Sequence, residues 1–288
     1  MMKAIYKKEV KSYLTSMIGY VFIFFILLLE GIYFTAYNLQ NAYPLFGTTL
    51  SAVTFIFLIL VPVLTMKTIA EERKQKTDQL LLTAPVSVSE IVLGKFLAVA
   101  TVYVIPVLII CLYPMIMGKY GTVSYAMAYT AVLGFALLGF AQIAVGVFWS
   151  SVTENPVIAA VVTFIVLFVC YMITGIGSLI PDSSMASLAC YMLLVLLAAV
   201  WIYHMIRNLW IAAVIGIAGE AALAITYVVK STLFEGSIQK FLAVFDITSH
   251  FDNFTNGILD LQGVVYFLSV IIIFLVLTVQ TITKRRWN

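Results

Sequence analysis

Two glutamates, Glu30 and Glu220, stand inside unbroken apolar runs, and a glutamine, Gln142, stands inside a third. A charged side chain at the centre of a bilayer costs about 2.5–3.5 kcal/mol on insertion scales, so carboxyls in such runs face the interior of a helix bundle or stay protonated. Two uses follow: a polar patch on a transport path, or a hydrogen bond between helices. Glu30 lies in the outer half of its run and can reach the interface, whereas Glu220 is near the middle of its own. Glu220 is therefore the foremost candidate for an intramembrane polar site, with Glu30 second. Gln142 reads as glue between helices.

His250 stands between Asp246 and Asp252, residue types that bind metals. One imidazole with loosely spaced carboxylates is not a coordination set, and no metal is expected there. The chain has no G-x-x-x-x-G-K phosphate loop, since Gly94-Lys95 lacks the upstream glycine, and no H-E-x-x-H or G-x-S-x-G. A membrane-embedded enzyme would need His, Asp or Glu clustered at one membrane face, but the two histidines, His204 and His250, are far apart. The chain is expected to be non-catalytic and to bind no cofactor of its own. Any ATP it uses must be bound by a partner.

The elements that carry these residues are helices in lipid. Of 288 residues 63% are apolar and 10% charged, against the usual quarter charged for a water-soluble domain. Runs of about 20 apolar residues, the length that crosses a bilayer, occur near 17–39, 48–67, 96–117, 126–149, 157–180, 187–206, 209–229 and 264–283. The fold class is all-α: one polytopic transmembrane bundle over residues 1–288, with about eight spans. Gly134, Gly139, Gly146, Gly216 and Gly219 suit close helix packing, and Pro62, Pro106 and Pro114 suit bends. Cys111, Cys170 and Cys190 each sit in an apolar run, as small buried hydrophobes do.

Basic residues orient the bundle. With the N-terminus inside, Lys3, Lys7, Lys8, Lys11, Lys67, Arg73, Lys74, Lys76, Lys95, Arg207, Lys284, Arg285 and Arg286 are cytoplasmic, and only Lys119, Lys230 and Lys240 are outside. Thirteen against three puts both termini in the cytoplasm. Residues 1–15 place Ile5, Val10, Tyr13 and Leu14 among lysines, which predicts an amphipathic helix on the inner membrane face, or else a positive flank that sets topology. Residues 230–262 space Leu233, Ile238, Phe241, Leu242 and Phe245, then Phe251, Phe254, Ile258 and Leu261, near the helical period. They predict one or two short helices at the outer interface. The net charge of +3 is too small to suggest a nucleic-acid partner.

The longest inner connection, residues 67–95, reads KTIAEERKQKTDQLLLTAPVSVSEIVLGK. Its charges project it into water, Pro85 ends one helix, and Ser87 with Glu90 has the spacing that starts the next. Between them Leu80, Leu81 and Leu82 form an apolar knot, and apolar surface left in water is unfavourable by about 25 cal/mol per Å². Either the bilayer surface or a protein partner covers it. Glu72 and Arg73 are expected at its exposed rim, where ion pairs are worth about 0–1 kcal/mol.

Across residues 62–95 the chain resembles the ABC-2-type transporter permeases, matching their first cytoplasmic loop at Ala70, Glu71, Glu72, Arg73, Thr77, Leu80, Leu81, Leu82, Pro85, Val86, Ser87 and Gly94. The turn Ser150-Ser151-Val152-Thr153-Glu154-Asn155-Pro156, the stretch HFDNFTNGILDLQGVVYFLS and the terminal Lys284-Arg285-Arg286-Trp287 agree, and together they resemble the gliding-motility-type bacterial branch. That family has a six-span core, so the pair at 187–229 is a departure. The resemblance implies a permease subunit of a bacterial plasma-membrane exporter, paired with a second permease copy and driven by cytosolic ATPase subunits. It also implies that the ATPase is touched through Glu71, Glu72, Arg73, Thr77, Leu80, Leu81, Leu82 and Pro85, and through Ser151, Glu154 and Asn155 of the second inner turn. The rival is an ion-coupled secondary transporter, which would show midplane charges on interrupted helices and an inverted repeat. Of these only Glu220 is present.

Overall fold

The computed structural model describes residues 2–79 and 86–287 and, within them, every side chain except those at 205, 206, 209, 211, 212, 286 and 287. The elements are α1 (Met2–Thr15), α2 (Met17–Tyr33, continued by a π-helical stretch Phe34–Gln40), α3 (Phe46–Thr65), α4 (Ala70–Lys74), α5 (Val88–Ile110), α6 (Tyr113–Met117) and α7 (Tyr125–Val152). They continue as α8 (Pro156–Ser178), α9 (Ser184–Ile206), α10 (Leu209–Val229), α11 (Ser237–Ala243), α12 (Asp252–Thr255) and α13 (Leu261–Trp287). There is no strand among the described residues. Seven helical stretches are long and apolar enough to cross a membrane, and Ala213–Val229 with Ser231–Ala243, bent by 116°, makes an eighth if taken as one broken span. The polytopic helical fold is thus as the sequence predicts.

Local signals account for many of the boundaries. Ser87 accepts a hydrogen bond from the Glu90 amide at 3.3 Å and starts α5, and Asn155 accepts from the Val157 amide at 3.0 Å and starts α8. Pro62 and Pro106 sit within continuous helices, whereas Pro114 follows the break between α5 and α6. Arg207, at φ 56°, makes the tight left-handed turn between α9 and α10.

The chain divides into two compact units, Met1–Val169 with Ile247–Asn288, and Cys170–Asp246. The core of the first is aromatic: Phe57 lies 4.8 Å from Phe135 and 5.7 Å from Tyr103 between ring centroids, and the Tyr103 hydroxyl donates to the Phe135 carbonyl at 2.7 Å. In lipid no hydrophobic force drives helices together, so such interlocking shapes and satisfied hydroxyls are what hold them. Gly139 and Gly146 of α7 serve this packing by facing Tyr103 and Thr65.

Two amphipathic segments pack against the helices of the first unit. In α1 the stripe Ile5, Glu9 and Tyr13, at four-residue spacing, is buried, with Ile5 packed on Val86 and Ile91 and Tyr6 bonded to Thr101 of α5 at 2.9 Å. Its inward face is occupied by protein, so only the lysine-bearing face is open. In the 230–262 segment Phe251 and Phe254 are fully buried, the former beside Phe135 at 6.3 Å and the latter beside Phe267 at 6.2 Å. Residues 252–255 therefore pack against α3 and α7. Glycines admit them: Gly134 lies under both rings, and Gly47 lies against the Thr255 backbone with no room for a methyl group. Gly47→Ala should cost about 1–3 kcal/mol by overpacking, read as a lowered thermal midpoint in detergent. An unchanged midpoint would mean that α12 is not held at Gly47.

In the second unit Gly216 and Gly219 of α10 face Ala199 and Val195 of α9. Tyr191 contacts Phe234 and Phe241, each with centroids 6.1 Å apart, and Gln239 donates to the Ile180 carbonyl at 2.9 Å.

Candidate functional site

Polar side chains concentrate at the end of the first unit where α1, the start of the 67–95 loop, the start of α5 and the end of α7 meet. At their centre is Lys95, which is 1% exposed. An ammonium has three donors, and here all three are used: Glu9 of α1 at 3.0 Å, Glu72 of α4 at 2.9 Å, and the Thr68 carbonyl at 2.8 Å. The second oxygen of Glu72 accepts from Lys8 at 3.1 Å. Two cations thus face two anions, and one lysine ties three helices together. Partial burial lowers the pKa of Lys8, but the hydrogen bond and charge of Glu72, with the charge of Glu9, outweigh it and leave it raised. Tyr13 closes the cluster from α1, its hydroxyl lying 3.2 Å from the Leu64 carbonyl and 3.0 Å from the Thr68 hydroxyl. Burial raises its pKa and keeps it a phenol.

A second fastening comes from α7. The buried Ser150 hydroxyl accepts from the amides of Ile69 and Ala70, each at 3.1 Å, and donates to the Met66 carbonyl at 3.1 Å. The first amides of a helix lack intrahelical partners, and α4 receives its cap from another helix instead of a neighbouring residue. Beside it Arg73 donates to the Ser151 carbonyl and lies 3.4 Å from Glu154. Glu154 also takes Arg285 of α13 at 2.6 Å, and Arg285 lies 3.6 Å from Asp78.

Measured against the sequence, Glu71, Glu72, Arg73, Thr77, Ser151, Glu154 and Asn155 come together at this end of the unit. Glu71, Thr77, Glu154 and Asn155 are open or half-open, Glu71 pairing with Lys67 at 3.3 Å and accepting from Gln75 at 3.5 Å. Glu72 and Arg73, expected at an exposed rim, are turned inward, their side chains 16% and 8% exposed. Lys95 draws in Glu72, since a buried ammonium must be paired and Glu72 is one of the two carboxylates within its reach, and Arg73 turns to the Ser151 carbonyl and Glu154. Leu80, Leu81, Leu82 and Pro85 lie outside the described residues. Glu9, Tyr13, Lys95 and Ser150 are members that the sequence reading did not single out. Lys95 carried a legible signal, a lysine seven residues into a helix that is otherwise apolar beyond Glu90.

The intramembrane candidates do not join this site. Glu30, which its position would let reach the interface, instead faces the interior and is 0% exposed, because it continues the buried face Gly19, Phe22 and Ile26 of α2. Neither of its oxygens has a hydrogen-bond partner among the described residues, and the same holds for both oxygens of Glu220 and for the side-chain oxygen of Gln142. Gln142 is buried and Glu220 half-buried. The His250 ring is stacked on Tyr266 at 3.7 Å.

With every proton of Lys95 engaged, the cluster is built for holding, since a saturated ammonium offers nothing to a reacting group. Its geometry fixes the base of the 67–95 loop to helices α1, α5 and α7. A family model described as ABC-2 family transporter protein matches residues 3–285 of the chain. No curated protein matches it.

Proposed function

The chain belongs to the ABC-2 transporter family, and from that premise we propose how it works. It is a multi-pass membrane protein and an ABC transporter permease. In our reading it carries no catalytic centre and binds no cofactor of its own, while a separate cytosolic subunit hydrolyses ATP. Two permease copies form the pathway, cargo moves outward, and the resemblance supports the gliding-motility-type branch. The lysine and arginine asymmetry favours cytoplasmic termini, and the family resemblance supports a bacterial plasma membrane.

The 67–95 loop is the element the ATPase grips. Leu80, Leu81, Leu82 and Pro85 supply the apolar contact, with Glu71 and Thr77 beside them and Glu154 and Asn155 on the neighbouring turn. Glu72, Arg73 and Ser151 act as positioning residues that hold the loop to the bundle. The observation that carries this reading is the anchoring of the loop's base, by Lys95 to α1 and α5 and by Ser150 to α7. A push on a free loop is absorbed by the loop, whereas a push on an anchored one moves the helices to which it is bonded.

Co-purification of the tagged chain from native membranes tests it. Burying two or three leucines contributes several kcal/mol before association costs are subtracted, so Leu81→Ser with Leu82→Ser should remove most of the bound ATPase and leave membrane insertion unchanged. The chain purified alone should bind no ATP. Wild-type recovery of the ATPase by the double variant would refute the contact, and stoichiometric ATP binding by the lone chain would refute the division of labour.

A further inference from the structure

A cavity of about 610 Å³ opens in the elbow between α1 and α2, walled also by the first part of the 67–95 loop. We propose that it binds the headgroup of a zwitterionic membrane phospholipid, one bearing a phosphate and a primary ammonium.

Position is the first argument. Ser16 and Ile18, at the start of the first membrane-spanning helix, line the cavity, so it lies at the depth of the headgroups. Charge is the second. Lys8, Lys67 and Lys95 line it together with Glu9, Glu71 and Glu72. Equal numbers of cations and anions suit a ligand that carries both signs and do not suit a net anion. Lys95 is saturated by its own partners, which leaves Lys67 and Glu71, 43% and 35% exposed and 3.3 Å apart, with Lys8, 65% exposed. Ion pairs this open are worth about 0–1 kcal/mol, so each partner can turn to a ligand phosphate or ammonium at little cost.

Size and surroundings complete the case. The volume falls within the roughly 300–1,000 Å³ typical of small-molecule sites and is far larger than a lone ion needs. From the lip of the cavity, Met17, Tyr20, Phe24 and Leu28 run along α2 at three- and four-residue spacing, all exposed. That stripe is a path for an acyl chain, which a soluble phosphoammonium compound would leave unused.

The test is lipid retention by the purified chain in detergent, read by native mass spectrometry and by thermal midpoint. Phosphatidylethanolamine should be retained and should raise the midpoint, phosphatidylglycerol should bind about tenfold more weakly, and free phosphoethanolamine should do neither. Lys67→Ala with Glu71→Ala should abolish the preference. The exchanged pair Lys67→Glu with Glu71→Lys, which preserves both charges, should keep it and so guard against simple misfolding. Equal retention of the two lipids, or an unaltered preference in the double alanine variant, would overturn the proposal. An equal effect of free phosphoethanolamine would assign the cavity to a soluble ligand and overturn its lipid part.

Discussion

Lys95→Met is expected to destabilise the protein by about 3–5 kcal/mol, the usual result of removing one member of a buried ionic cluster. The loss comes less from the missing attraction than from what remains. Glu9 and Glu72 are 11% and 16% exposed at the side chain and would face each other without the ammonium between them, and the Thr68 carbonyl would lose its donor. Lys8 compensates poorly, because it lies 3.9 Å from Glu9, already bonds Glu72, and is mostly in solvent. Removing the two acids along with the lysine is the informative comparison. In Lys95→Met/Glu9→Gln/Glu72→Gln no charge is stranded, so much of the stability should return. Thermal or denaturant unfolding in detergent measures both variants. A single variant as stable as the unaltered protein would show that Lys95 does not hold the loop.

What the sequence could and could not reveal follows from the solvent of each region. Span positions were legible because a bilayer demands about 20 apolar residues whatever packs against them. The loop was legible because its charges must reach water. The inward faces were not. In water an apolar face points to the core, but in lipid both faces of a helix are apolar, so the period that marks a buried stripe is absent. Nothing around Glu30 distinguished the enclosed face of α2 from its open one, and Phe254 looked like an interfacial anchor until its place beside Gly134 and Phe267 was known. Glu72 misled for a related reason. Charges in a polar loop read as solvated, and only the depth of Lys95, set by a helix that begins at Val88, draws one of them inward.

Neighbouring serines give the sharpest contrast between sequence and structure. Ser150 and Ser151 stand side by side in the same turn, and the sequence offers no reason to prefer the first, while the family resemblance points to Ser151. In the structure the two hydroxyls do different work. That of Ser150 serves two amides and one carbonyl of the segment leading into α4, residues 80 to 84 positions distant, whereas that of Ser151 only returns to the Phe148 carbonyl three residues back at 2.6 Å. Ser151 contributes to the loop through its backbone carbonyl, which accepts from Arg73 and survives any side-chain change. Ser150→Ala should therefore leave the Ile69 and Ala70 amides buried and unpaired, at about 1–3 kcal/mol for each orphaned group, and should lower stability by several kcal/mol in all. Ser151→Ala should cost well under 1 kcal/mol, since the hydroxyl of a helical serine bonded to its own preceding turn adds little. Loosening of the loop is a separate signature. Hydrogen exchange at Ile69 and Ala70 should accelerate strongly in Ser150→Ala and stay slow in Ser151→Ala, because only the first variant removes the acceptor for those amides. Equal exchange at the two amides in both variants would mean that the Ser150 hydroxyl does not fasten the loop, and the anchoring would then rest on Lys95 and on Arg73 at the Ser151 carbonyl.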